Sequence, residues 1–170
     1  MTEPGGSIEP AAFRMAMSRF ASGITIMSTL QGGVAHAMTA NAFTSVSLDP
    51  PLVLVCVDQG VRMHAAVQEC GYWAVSVLAA AHRPVAERFA KSGRDLHSQF
   101  DGVETVPGPK TGCPLVVGAL SWLECRTWAT YDGGDHTIVV GEVLSVGADE
   151  SDDPAALVYY SGHYRELRGR

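Results

Sequence analysis

Apolar and polar residues alternate along most of the chain, or gather in short apolar blocks that end at Gly, Pro or Asp. That pattern predicts many short strands and few helices. Phe13, Met17 and Phe20 recur at helical spacing, so 10–21 reads as a helix that Gly23 stops. Residues 23–30 read as a strand, Gln31-Gly32-Gly33 as a turn, and 34–39 as the hairpin partner. Residues 43–48 alternate as a strand, Asp49-Pro50-Pro51 breaks it, and 52–57 form a fully apolar strand. A helix over 62–70, a buried strand over 72–78 and a helix over 79–92 follow, and 93–111 reads as a surface loop. The long strand 118–131 places Trp122, Glu124, Arg126 and Trp128 on one face. A glycine hairpin at 132–135 returns it as strand 136–146, an acidic loop occupies 147–154, and 157–160 with 163–167 close the chain as a small hairpin. Sequential hairpins with few crossover helices favour a closed antiparallel barrel over a doubly wound sheet.

The chain has 170 residues, 46% hydrophobic and 18% charged, which suits one compact domain over 10–170 behind a flexible segment at 1–9. Twelve basic against eighteen acidic residues give a net charge of −6, with no basic cluster, which argues against nucleic acid as a partner. The apolar runs are too short to span a bilayer, and no secretory signal is visible, so no membrane role and a cytoplasmic location are expected. Cys56, Cys70, Cys113 and Cys125 stand singly, without paired metal-ligand spacing, and read as small apolar residues in a reducing compartment.

The chain has no GxGxxG, no GxxxxGKS/T, no HExxH and no GxSxG. Three other clusters carry candidate chemistry. In 37–47, small residues let a ligand approach the backbone, and Thr39, Asn41, Thr44 and Ser45 offer hydroxyl and amide groups; a Thr/Ser-rich strand and turn explains the same residues without a ligand. In Asp58-Gln59-Gly60-Val61-Arg62, a cation at a helix start suits a phosphate, and an ordinary capping loop is the alternative. Gly133-Gly134-Asp135-His136 presents a histidine at the start of a buried strand, either as a ligand contact or as a plain hairpin residue.

Gly23-Ile24-Thr25, then 36–53 with Thr39-Ala40-Asn41-Ala42-Phe43-Thr44-Ser45-Val46-Ser47-Leu48-Asp49-Pro50-Pro51, then Gly134-Asp135-His136, then 157–165, occur in one order. Together they resemble the short-chain flavin reductase family, the reductase components of two-component flavin-dependent monooxygenases. The resemblance runs from about Phe13 to Leu167. It implies the FMN-binding split barrel, a mostly β, six-stranded antiparallel Greek-key barrel with two or three short helices, and a homodimer. It also implies an enzyme in which NADH or NADPH passes hydride to FMN or FAD. Free reduced flavin then diffuses to a partner monooxygenase.

Carried onto this chain, the resemblance places Thr39, Ala40 and Asn41 along the flavin, and Thr44 and Ser45 at its ribityl or phosphate. It places Asp58, Gly60 and Arg62 at the phosphate end and Phe89 beside the ring. His136 falls on the nicotinamide side, with Tyr164 and Arg165 holding the nicotinamide nucleotide. No metal is implied. One cation, Arg62, faces one anion, Asp58, which predicts loosely held flavin. A non-catalytic flavin- or haem-binding module of the same fold, and an oxidase with tightly held flavin, are the competing readings. The face of Trp122, Glu124, Arg126 and Trp128 is the expected dimer surface.

Overall fold

The computed structural model describes residues 8–149 and 154–169. The expected flexible N-terminus through residue 7, and residues 150–153 of the acidic loop, lie outside the described residues. The helix α1 (Pro10–Met17) leads into β1 (Ser22–Gly23), β2 (Thr25–Gln31), β3 (Val34–Ala40), β4 (Phe43–Leu48) and β5 (Pro51–Asp58). Then come α2 (Arg62–Cys70), β6 (Tyr72–Val77), a 3-10 turn at Ala80–His82 and α3 (Arg83–Phe89). The rest is β7 (Thr105–Pro107), β8 (Pro114–Val116), β9 (Ser121–Gly133), β10 (His136–Ala148), β11 (Ala156–Tyr160) and β12 (His163–Leu167).

The main sheet has seven antiparallel strands, in the order β3-β2-β6-β9-β10-β5-β4, and β1-β11-β12 form a separate small sheet. Its two edge strands, β3 and β4, are joined by Asn41-Ala42 alone. Laid flat, seven strands would hold their edges roughly 29 Å apart. The link from Ala40 to Phe43 spans at most about 11 Å. The sheet must therefore curl until its edges nearly meet. No ladder joins β3 to β4, so the barrel is split, as the family resemblance implies, rather than closed, as the hairpin order favoured, and its main sheet has seven strands where six were expected.

The barrel is filled from all round. Met27, Val55, Val57, Trp73, Val75, Cys125 and Val139 form one buried cluster, with Met63 and Val67 of α2 added to it. Gly141 makes room for the largest member: a Cβ there would lie 2.3 Å from the Trp73 ring. A register shift between Val140 and Gly141 marks the same place, where the strand bends around the indole. A second cluster, with Ile24, Ile26, Leu78, Phe89 and Leu157, packs α3 and β11 on the other face of β2. With both faces covered, β2 is buried over Thr25–Thr29, and its hydroxyls are all bonded: Thr25 to Ala40 O, Ser28 to Pro114 O and Thr29 to Tyr72 O.

The predicted helix over 79–92 is a 3-10 turn followed by the shorter α3, because Pro84 sets a new helix start. The helix α1 also ends early, at Met17, and no residue in it is buried. The expected outer face of β9 is divided. The loop before β8 covers Glu124, which is fully buried, and Trp122 is half-buried against β8, while Trp128 stays 54% exposed. The end of the expected surface loop, 108–111, thus covers β9 at Glu124. The β9–β10 hairpin is tighter than expected, with Gly133 pairing His136 across Gly134-Asp135, and Gly134 takes the positive φ of +81° that this turn requires.

Candidate functional site

A cleft of about 580 Å³ opens along the outer edge of β3. Thr39, Ala40 and Asn41 form one wall, Asp58, Gly60 and Arg62 another, and Phe89 and His136 complete the group from α3 and β10. Three clusters spread over 39–136 in the sequence thus meet in one place. The split in the barrel is the reason, since β3 has no strand partner on this side.

The unpaired edge of β3 defines what the cleft can bind. Ala35 O accepts from the Gln99 amide at 2.7 Å, and Ala37 O accepts from Arg94 Nη2 at 2.8 Å. These carbonyls therefore point away from β2. Strand alternation turns the backbone N–H and C=O of Thr39 the same way, into the cleft. An unpaired amide and carbonyl in line match the edge of a planar heterocycle. The Thr39 hydroxyl donates to Ala86 O at 2.7 Å, which ties β3 to α3 and leaves the backbone as the recognition surface.

Arg62 is the first residue of α2, whose N-terminus has no side-chain cap. Its Nη2 donates to Arg94 O. Arg94 donates from Nη1 to Phe89 O at 3.0 Å, and its guanidinium lies 5.2 Å from the Phe89 ring centroid. Its buried Nε has no partner. Burial, and then the Arg62 guanidinium, hold Arg94 below its ordinary pKa, although it remains a cation at neutral pH. Lys91 lines the same cleft. Among the described residues, no ion pair joins Arg62, Lys91 or Arg94 to a carboxylate. The sequence reading counted one cation here; the cleft holds three. Asp58, expected as an opposing charge, is engaged locally, accepting the Gly60 N–H at 2.6 Å.

His136 stands directly opposite Asp58 in the β10–β5 ladder, at the rim of the cleft. Its Nδ1 lies 2.7 Å from Asp135 Oδ1. That hydrogen bond and the charge of His136 hold the Asp135 carboxyl below the usual carboxylate range.

Four expected site residues lie elsewhere. Thr44 and Ser45 sit exposed on β4, at the opposite edge of the sheet, because the Asn41-Ala42 turn sends the chain across the split. Tyr164 and Arg165 belong to β12 of the small sheet and do not line the cleft. Tyr164 packs instead on Tyr159, with ring centroids 5.4 Å apart. Sequence reasoning missed His36, Cys56, Lys91 and Arg94, which all line the cleft. Lys91-Ser92-Gly93-Arg94, two cations around a glycine directly after the helix bearing Phe89, was the available signal. No group of metal-ligating side chains occurs among the described residues.

A family profile described as flavin reductase like domain matches residues 17–168. The chain is similar to an NADH-dependent flavin reductase of a Rhodococcus species, 41% identical over 179 aligned positions that cover 100% of this chain and 97% of that protein. It is also similar to an NADH-dependent FAD reductase of Streptomyces globisporus, 44% identical over 133 positions covering 78% of this chain and 72% of that protein. Among solved structures it resembles BorF, the flavin reductase component of a bacterial two-component tryptophan halogenase. The TM-score is 0.88 at 46% identity, covering 95% of this chain and 100% of that one. The Streptomyces globisporus NADH:FAD oxidoreductase SgcE6, in complex with NAD and FAD fragments, superposes with a TM-score of 0.86 at 37% identity, covering 96% and 97%.

Proposed function

The chain belongs to the flavin reductase like domain family, and from that premise we propose that it is an NADH-dependent flavin reductase that supplies reduced flavin to a monooxygenase partner. One observation carries the reading: cations that form no ion pair with a carboxylate among the described residues stand beside an unpaired strand edge in a single cleft. A flavin nucleotide presents both complements, a planar ring edged with hydrogen-bonding groups and a phosphoryl tail. The donor set therefore fits FMN or FAD.

The chemistry supplied by the bound nucleotides is hydride transfer from nicotinamide C4 to flavin N5, which needs no protein nucleophile or metal. The chain's own work is binding and orientation. The β3 edge from Thr39 to Asn41 recognises the ring through its backbone, and Phe89 walls the ring from the α3 side. Arg62 and Arg94 take the phosphoryl charge, in guanidinium geometry suited to bidentate contact. His136, across from Asp58, orients the nicotinamide at the rim, and Asp135 holds the orientation of the imidazole.

Homodimerisation, delivery of reduced flavin by diffusion and a cytoplasmic location extend this reading. Exposed apolar side chains support the dimer: Trp128 and Tyr131 on β9, Leu48 on β4 and Phe13 on α1 are 54%, 59%, 95% and 59% exposed. A single species at the monomer mass of 18.0 kDa in sedimentation at micromolar concentration would overturn it. The test of the function is steady-state oxidation of NADH and of NADPH with added FMN and with added FAD. Turnover with NADH and either flavin is expected. Flavin binding without any NADH or NADPH oxidation would instead identify a non-catalytic flavin-binding protein.

A further inference from the structure

Among the titratable side chains that line the cleft, His36 has no part in the roles above. His36 lies in the middle of β3, is only 7% exposed, and lines the cleft. Among the described residues neither ring nitrogen has a hydrogen-bond partner, and neither is sealed from the cleft. A largely buried imidazole whose nitrogens open on a cleft and have no partner among the described residues is free to bond a ligand there. The charged groups around it come from every side of the cleft. Arg62 of α2 lines the same cleft and its charge acts on the imidazole, and Arg94 bonds the carbonyl of the next residue, Ala37, from the segment after α3. Lys91, Asp58 of β5 and His136 of β10 line the same cleft, with the Asp58 carboxylate turned to the Gly60 amide.

We propose that His36 completes an anion-binding floor with Arg62 and Arg94, and that it takes up a proton when a phosphoryl group settles there. Burial, and then the charge of Arg62, hold the His36 pKa below its ordinary value, so the free protein carries a neutral imidazole at neutral pH. A phosphoryl anion reverses the balance, because it favours the imidazolium and accepts a charge-assisted hydrogen bond from it. Binding then draws in a proton. Affinity for a phosphorylated flavin rises as pH falls through the bound-state pKa, and levels off below the free-state pKa. This rests on the flavin reductase reading and adds a proton-linked contact to its nucleotide site.

The probes are FAD, whose diphosphate keeps a fixed charge over the range used, and lumiflavin, which has the same ring system and no phosphate. Binding is measured by difference absorbance from about pH 6 to 8.5 for the wild type and His36→Gln. Wild-type affinity for FAD should rise about fivefold or more toward the acid end, and affinity for lumiflavin should change by less than about twofold. His36→Gln should still bind both and lose the FAD slope. In the wild type, the NMR titration midpoint of His36 should move up when FAD is added, a readout that does not depend on the variant folding. An unmoved midpoint, or an unchanged slope in His36→Gln, overturns the proposal while leaving the reductase reading in place. Failure of both flavins to bind at any pH would overturn the reductase reading and this inference with it.

Discussion

The barrel wall and the cleft bury charge in opposite ways. On β9, the fully buried Glu124 carboxylate accepts the Lys110 N–H at 3.0 Å, the Thr111 N–H at 2.7 Å and the Thr111 hydroxyl at 2.7 Å. Gly108 lets the loop close over it, since a Cβ there would lie 2.2 Å from Oε1. That charge is complete within the chain. In the cleft, Arg62 and Arg94 lean on backbone carbonyls, with no carboxylate in ion-pair reach among the described residues. A buried charge whose partners the fold supplies holds structure together. Like charges gathered without a counter-charge hold a place for a ligand. The same handful of charged side chains thus divides into structural and binding groups according to what answers each of them.

The sharpest way to break this contrast is to delete the completed charge. Glu124→Ala leaves three part-buried donors without their acceptor, opens space at a fully buried position, and should cost about 3–5 kcal/mol of stability in urea denaturation. The flavin KM of the protein that remains folded should be unchanged. A shift in flavin KM with no loss of stability would place Glu124 with the cleft instead.

Arg62→Ala tests the other side. Flavin KM should rise about ten- to hundredfold while kcat changes by less than about threefold, the mark of lost uniform binding. Stability should move by less than about 1 kcal/mol, since the lost hydrogen bond is exposed. A large loss of stability with normal KM would make Arg62 a structural residue and erase the contrast.

His136→Ala sharpens it within the cleft. Efficiency with NADH should fall roughly ten- to hundredfold, about 1.4–2.7 kcal/mol of transition-state stabilisation, while flavin binding changes far less. Equal losses in both would move His136 to the flavin side. The smallest effect is expected from Asp135→Asn. The depressed pKa of Asp135 means that its contact with His136 contributes above the usual carboxylate range and is lost as pH falls through the depressed value. Both side chains are exposed, so near neutral pH the melting temperature should shift by less than about 1 °C. A larger shift that persists under acid, where Asp135 is protonated, would rule out that ionic contact as its source.

Alternation and glycine placement, by themselves, determined the hairpins, the helix α2 and the concentration of candidate chemistry in 39–41, 58–62 and 136. These are local: a side chain's face follows from period two, and a turn from the residues within it. The resemblance to a reductase family rested on the same local runs. Tertiary structure alone decided the rest. The three clusters meet because a two-residue link forces a seven-stranded sheet to curl and leaves β3 unpaired. That same link carries Thr44 and Ser45 across the split onto the other edge strand, β4, although they follow Asn41 closely in the chain. Arg94, Lys91 and His36 enter the cleft from an irregular segment and from a strand interior, where no period marks a binding residue. Glu124 reads as part of an exposed amphipathic face until the 108–113 loop covers it. Burial and the supply of partners depend on which distant segments pack together, and the pattern along one segment does not contain that information.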